Sequence, residues 1–103
     1  MEHEPNSTLL RSDKSSVRYV PARHVLSTMK NDEGFLLDKR GGLYYSLDSI
    51  GAQIWSQLAT TPSSHEIVAH LQAQYQEAEA TLTRDVQAFL DRLLAAGLII
   101  QCP

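Results

Sequence analysis

The 103-residue chain carries a formal charge of −3, a single cysteine and 43% hydrophobic residues. A chain of this length forms one small domain with a thin core, leaving little room for a deep enclosed active site. Its mild acidity disfavours polyanion partners, because Lys and Arg neutralising phosphates supply most non-specific nucleic-acid affinity, and one cysteine excludes an internal disulfide or a thiolate metal site.

Residues 1–17 are rich in Ser, charge and Pro without apolar period, which predicts a disordered or loosely ordered arm ahead of a domain over residues 18–103. The arm lacks the apolar stretch of a secretory signal, and no apolar run approaches the ~18 residues of a membrane span, so a cytoplasmic protein is expected. Residues 1–24 net +1 and the remainder −4.

Tyr19-Val20-Pro21 begins the ordered part, and the run from His24 to Met29 suits a first strand. Asn31-Asp32-Glu33-Gly34 is a turn signal, Phe35 to Lys39 a second strand, and Lys39-Arg40-Gly41-Gly42 supplies hairpin-turn glycines. The third strand, Leu43-Tyr44-Tyr45-Ser46-Leu47, has no charge and no proline; Leu43, Tyr45 and Leu47 share one face. At a sheet edge such a strand offers unpaired N–H and C=O groups to another chain, which suggests a peptide partner or a twin strand in a homodimer.

Asp48 stands where an N-cap belongs, and the helix from Ser49 to about Leu58 places Ile50, Ile54, Trp55 and Leu58 on its apolar face. Ser63 and Glu66 have capping-box spacing ahead of a second helix that runs to about Tyr75 and buries Ile67, Val68, Leu71 and Tyr75. A third helix over roughly Leu82 to Ala96 carries Val86, Phe89, Leu90, Leu93 and Leu94, with Gly97 as its C′ residue. Three strands followed by three helices make an α+β, winged-helix-like domain with a three-stranded antiparallel sheet.

At 100° per residue, Asp85, Phe89, Arg92 and Ala96 fall on one border of the third helix's apolar arc. Laid beside the third strand, this border makes a groove with an apolar floor and charged clamps, or else a plain core edge with a solvated flank. His65-Glu66 and His70 are spaced by five, not the four that brings two ligands to one zinc, so no metal site is read. Gly41-Gly42 precedes a strand, unlike a phosphate cradle. No nucleophile–base arrangement stands out, and neither an enzyme nor a cofactor is expected. A winged-helix DNA reader is the rival, but the third helix offers Arg84 and Arg92 against Asp85 and Asp91, without net charge.

The run from Leu36 to Trp55, with Asp85-Val86, Phe89-Leu90, Leu93 and Ala96-Gly97-Leu98-Ile99, resembles the PqqD-like family, the recognition elements of ribosomally made, modified peptides. Its Leu-Leu-Asp and Gly-Ala-Gln-Ile-Trp phrasing looks closest to the stand-alone leader-binding proteins of lasso peptide biosynthesis. The resemblance implies a non-catalytic adaptor that binds a precursor's leader region and delivers it to a cysteine-protease-type leader peptidase, with a cyclase acting afterwards. A recognition protein for another enzyme, such as a radical-SAM partner, is the family alternative. The implied leader contacts are Leu43, Tyr44, Tyr45, Ser46 and Leu47 on the strand and Asp85, Val86, Phe89, Arg92 and Leu93 on the helix. Thr60-Thr61 departs from the family, where a Gly-containing turn is common at this link.

Overall fold

A computed structural model of the chain describes residues 17–30 and 32–102. The expected arm lies outside them except for Val17, which packs partly buried against the core. The elements are β1 (Arg18–Pro21), β2 (Val25–Lys30), β3 (Glu33–Asp38), β4 (Leu43–Leu47), α1 (Ser49–Gln57), a 3-10 turn (Leu58–Thr60), α2 (Ser64–Gln72), α3 (Glu79–Ala95) and β5 (Ile99–Cys102).

β2, β3 and β4 form an antiparallel meander in that order, with Ser27, Leu36 and Tyr45 in one cross-strand row and Leu26, Leu37 and Tyr44 in the next. The alternation is legible in β3, where Gly34, Leu36 and Asp38 are buried while Glu33 and Phe35 are exposed. Asp38 is buried because its carboxylate works locally, accepting from the amides of Arg40 at 2.9 Å and Gly41 at 3.3 Å. That ties down the β3–β4 turn and so the position of β4.

One face of this sheet covers the helices, whose shared core includes Leu36, Leu58, Ile67, Leu71, Val86 and Leu90. The other face is open and apolar: Leu26 is 52% exposed, Phe35 44% and Tyr44 77%. No described helix is long and apolar enough to cross a membrane.

The predicted caps form. Asp48 accepts from the Gly51 amide at 2.8 Å, and Ser63 and Glu66 bond reciprocally as a capping box. At the end of α3 the Leu98 amide reaches the Leu93 carbonyl and the Gly97 amide the Leu94 carbonyl, a Schellman ending with Gly97 at φ +75°.

Five features differ from the sequence expectation. β3 begins at Glu33, so Glu33 and Gly34 of the expected turn lie in the strand, Gly34 opposite Met29 and Leu47, where a side chain would meet Met29 Sδ. β1 and β5 pair into a second, two-stranded sheet, with Val20 opposite Ile100; strands of four residues have too little period to read, and this pair joins opposite ends of the chain. α2 stops at Gln72, and Tyr75 follows it half-buried, its hydroxyl taking a hydrogen bond from Gln53 Nε2 at 2.8 Å. α3 starts early, at Glu79, without a side-chain cap at Ala78. Ile50, expected in the core, is 44% exposed because it sits in the first turn of α1, over a surface groove.

The α1–α2 link departs from common geometry at Thr61, whose φ is +54°. A β-branched residue is unfavourable in this left-handed region. β1 braces the link: Arg18 donates to the Thr61 carbonyl at 3.0 Å and clasps both carboxylate oxygens of Glu66. The Arg18 hydrogen bonds, helped by the Ser63 amide, hold the Glu66 carboxyl below its ordinary value. Thr61→Gly is expected to stabilise the fold by about 1 kcal/mol, since relief of roughly 1–2 kcal/mol of left-handed strain exceeds the added chain entropy. Chemical denaturation of the two proteins measures it; an unchanged or lower midpoint contradicts the strain.

Candidate functional site

β4 has β3 as its neighbour and no strand on its far side among the described residues. The groups along that edge therefore remain available to an added strand. α3 runs beside the edge, and between them lies a groove of two connected lobes.

The upper lobe, about 520 Å³, is lined by Ile50, Ile54, Leu82, Asp85 and Val86, with Asp48 and Glu77 at its margin. The lower lobe, about 320 Å³, has Leu36, Tyr45, Leu93, Ala96 and Leu98. Ser46, Leu47, Phe89 and Arg92 line both lobes and form the partition between them.

Phe89 is half-buried and packs against the core, and its ring tip reaches α1. A Cβ added at Gly51 would stand 3.4 Å from Phe89 Cζ and 3.2 Å from Asp48 Oδ1, so glycine permits this close approach. The Arg92 guanidinium lies over the same ring, 5.8 Å from its centroid, within cation–π range. The partition is therefore an aromatic ring with a cation on its solvent side.

Charge is uneven along the groove. Asp48, Glu77 and Asp85 border the upper lobe, Arg92 stands at the partition, and the lower lobe is apolar. Asp85 lies 3.9 Å from Arg84, both largely exposed. Among the described residues no three His, Cys, Asp or Glu side chains are placed to hold a metal.

Eight of the ten sequence-predicted residues line the groove: Tyr45, Ser46, Leu47, Asp85, Val86, Phe89, Arg92 and Leu93. Leu43 and Tyr44 line neither lobe; Leu43 is 56% exposed near the hairpin turn and Tyr44 belongs to the open face of the sheet. Sequence reasoning missed Leu36, Ile50, Glu77, Leu82 and Leu98 as lining residues. Ile50 was read on the apolar face of its helix and Leu36 only as part of a strand, and only the folded packing shows that both line a groove. A third cavity, about 560 Å³, lies between the β2–β3 turn, α1 and the end of α2. It is lined mainly by polar side chains such as Gln53, Gln57, His70 and Gln74 and adjoins no free β4 edge, so the two-lobed groove is the stronger candidate for a peptide.

The model of the family described as coenzyme PQQ synthesis protein D (PqqD) matches residues 33–99. No curated relative matches the chain. Among solved structures, TbiB1 in complex with the TbiA(beta) leader peptide is 34% identical, with a TM-score of 0.75 over 78% of this chain and 93% of that one. A lasso peptide synthetase B1 complexed with the leader peptide is 22% identical, with a TM-score of 0.73 over 80% of this chain and 96% of that one, and shares the fold.

Proposed function

The chain belongs to the PqqD family, and from that premise we propose that it is a non-catalytic adaptor that binds the leader of a ribosomal precursor peptide and presents it to a leader peptidase in lasso peptide maturation. The observation that carries this reading is a free, uncharged edge strand flanked by a two-lobed groove. The solved relative at 34% identity is itself a leader-peptide complex.

The leader would add as a strand to β4, with backbone hydrogen bonds giving general affinity and alternate side chains reaching the groove. Phe89 would separate two side-chain subsites, and Asp85 and Arg92 would fix polar groups and register. An interface of this kind is expected to bind with a Kd of about 10 nM to 10 µM. Binding the leader raises the effective concentration of the core peptide at the peptidase.

Backbone amide NMR of the labelled protein, titrated with the leader of the nearest encoded precursor peptide, tests the reading. Shifts concentrated at residues 43–47 and 85–93 are expected; no shifts anywhere overturn it.

The open apolar face of the sheet gives the peptidase a surface continuous with the bound leader. Leu26→Glu combined with Phe35→Glu is expected to slow peptidase cleavage of the leader about tenfold or more while leader affinity stays within about twofold. Cleavage at the unaltered rate removes this face from the contact.

A further inference from the structure

We propose that, without leader, two copies of the chain pair through β4 in antiparallel register about Tyr45, each closing the other's groove edge. The strand's sequence carries the inference. Leu43-Tyr44-Tyr45-Ser46-Leu47, turned end for end, sets Leu43 opposite Leu47, Tyr44 opposite Ser46 and Tyr45 opposite itself in the second copy. Every pair then matches: aliphatic with aliphatic, hydroxyl with hydroxyl, ring with ring. Residues directly opposite in an antiparallel pair share a face and interact.

The sequence devices that blunt an edge are missing from this strand. The strand has no Lys, no Pro and no inward charge. Leu43 and Tyr44, the two strand residues outside the groove lobes, are 56% and 77% exposed, and self-pairing gives each a cross-strand neighbour. A two-fold pairing is closed, so the assembly ends at a dimer. Five residues per copy make a small interface, well below the ~1,200 Å² of stable complexes, so the dimer is weak and populated at high protein concentration.

Leader and second copy would use the same edge and exclude each other. This exclusion rests on the leader reading; self-association does not, and is measured without peptide. A weak dimer would protect the edge from irregular aggregation and yield it to a tighter ligand by mass action.

Sedimentation equilibrium of three proteins tests the register: the unaltered chain, Tyr44→Lys/Ser46→Lys and Tyr44→Lys/Ser46→Glu. Both positions are exposed on the edge strand, so folding is expected to persist, with circular dichroism as the check. The unaltered mass should rise with concentration from 11.5 kDa toward twice that value. The Lys/Lys protein sets like charges opposite each other twice and should stay monomeric, whereas the Lys/Glu protein sets opposite charges twice and should dimerise at several-fold lower concentration. A monomer at all concentrations up to about 1 mM in the unaltered protein, or equal association of all three, overturns the proposal. Saturating leader should return the mass to that of a one-to-one complex; a leader-bound dimer overturns the exclusion alone.

Discussion

Phe89→Ala is expected to weaken leader binding by about 2 kcal/mol or more, roughly a 30-fold rise in Kd. The size follows from where the ring stands. Phe89 lines both lobes of the groove, meets α1 at Gly51 and carries the Arg92 guanidinium on its outer side. Truncation merges two subsites into one trough and removes the aromatic face beneath the cation. Calorimetric titration of both proteins with leader measures the effect. The ring also packs partly against the core, so a stability loss of the kind that follows cavity creation must be measured beside it. Unchanged affinity in a folded Phe89→Ala protein removes the residue from the site. Phe89→Leu should recover a good part of the binding, because it keeps an apolar partition.

Leu36→Ala is expected to cost about 2–5 kcal/mol of folding stability, the range for fully buried leucines. Leu36 is 0% exposed on the middle strand of the meander, beneath the lower lobe. A domain of this size has a total stability of only about 5–15 kcal/mol, so Tm should fall by about 10 °C or more. Leu26→Ala is the control. It lies on the open face of the same sheet at 52% exposure, where substitutions change stability by about 0.5 kcal/mol or less. Equal losses at the two positions would contradict the assignment of the sheet's faces. Because Leu36 also floors the groove, a folded Leu36→Ala protein should bind leader more weakly as its lower lobe loses shape.

In the proposed complex the free edge and the groove would act on different parts of recognition. Backbone pairing to β4 is indifferent to side-chain identity, whereas the lobes discriminate by size and charge. With Asp48, Glu77 and Asp85 around the upper lobe and an apolar lower lobe, a peptide laid in the two opposite directions would meet different surroundings. In the proposed complex the groove would therefore select direction as well as sequence.

Much of this was legible in the chain itself. Alternation in Leu43–Leu47, the glycines after Arg40, the caps at Asp48 and Ser63, and Gly97 after the third apolar stripe are local signals whose meaning depends on residues within one or two turns. The helical arc that groups Asp85, Phe89, Arg92 and Ala96 is also local, set by 100° per residue, and all four residues line the groove. The folded chain decided the rest through contacts distant in sequence. Only pairing across the whole chain makes β1 and β5 a sheet, and only the packing of α1 against α3 brings Gly51 under the Phe89 ring. Packing likewise turns Leu36 and Ile50 into groove walls. Periodicity tells which side of an element is apolar; what that side meets depends on how the elements close around one another.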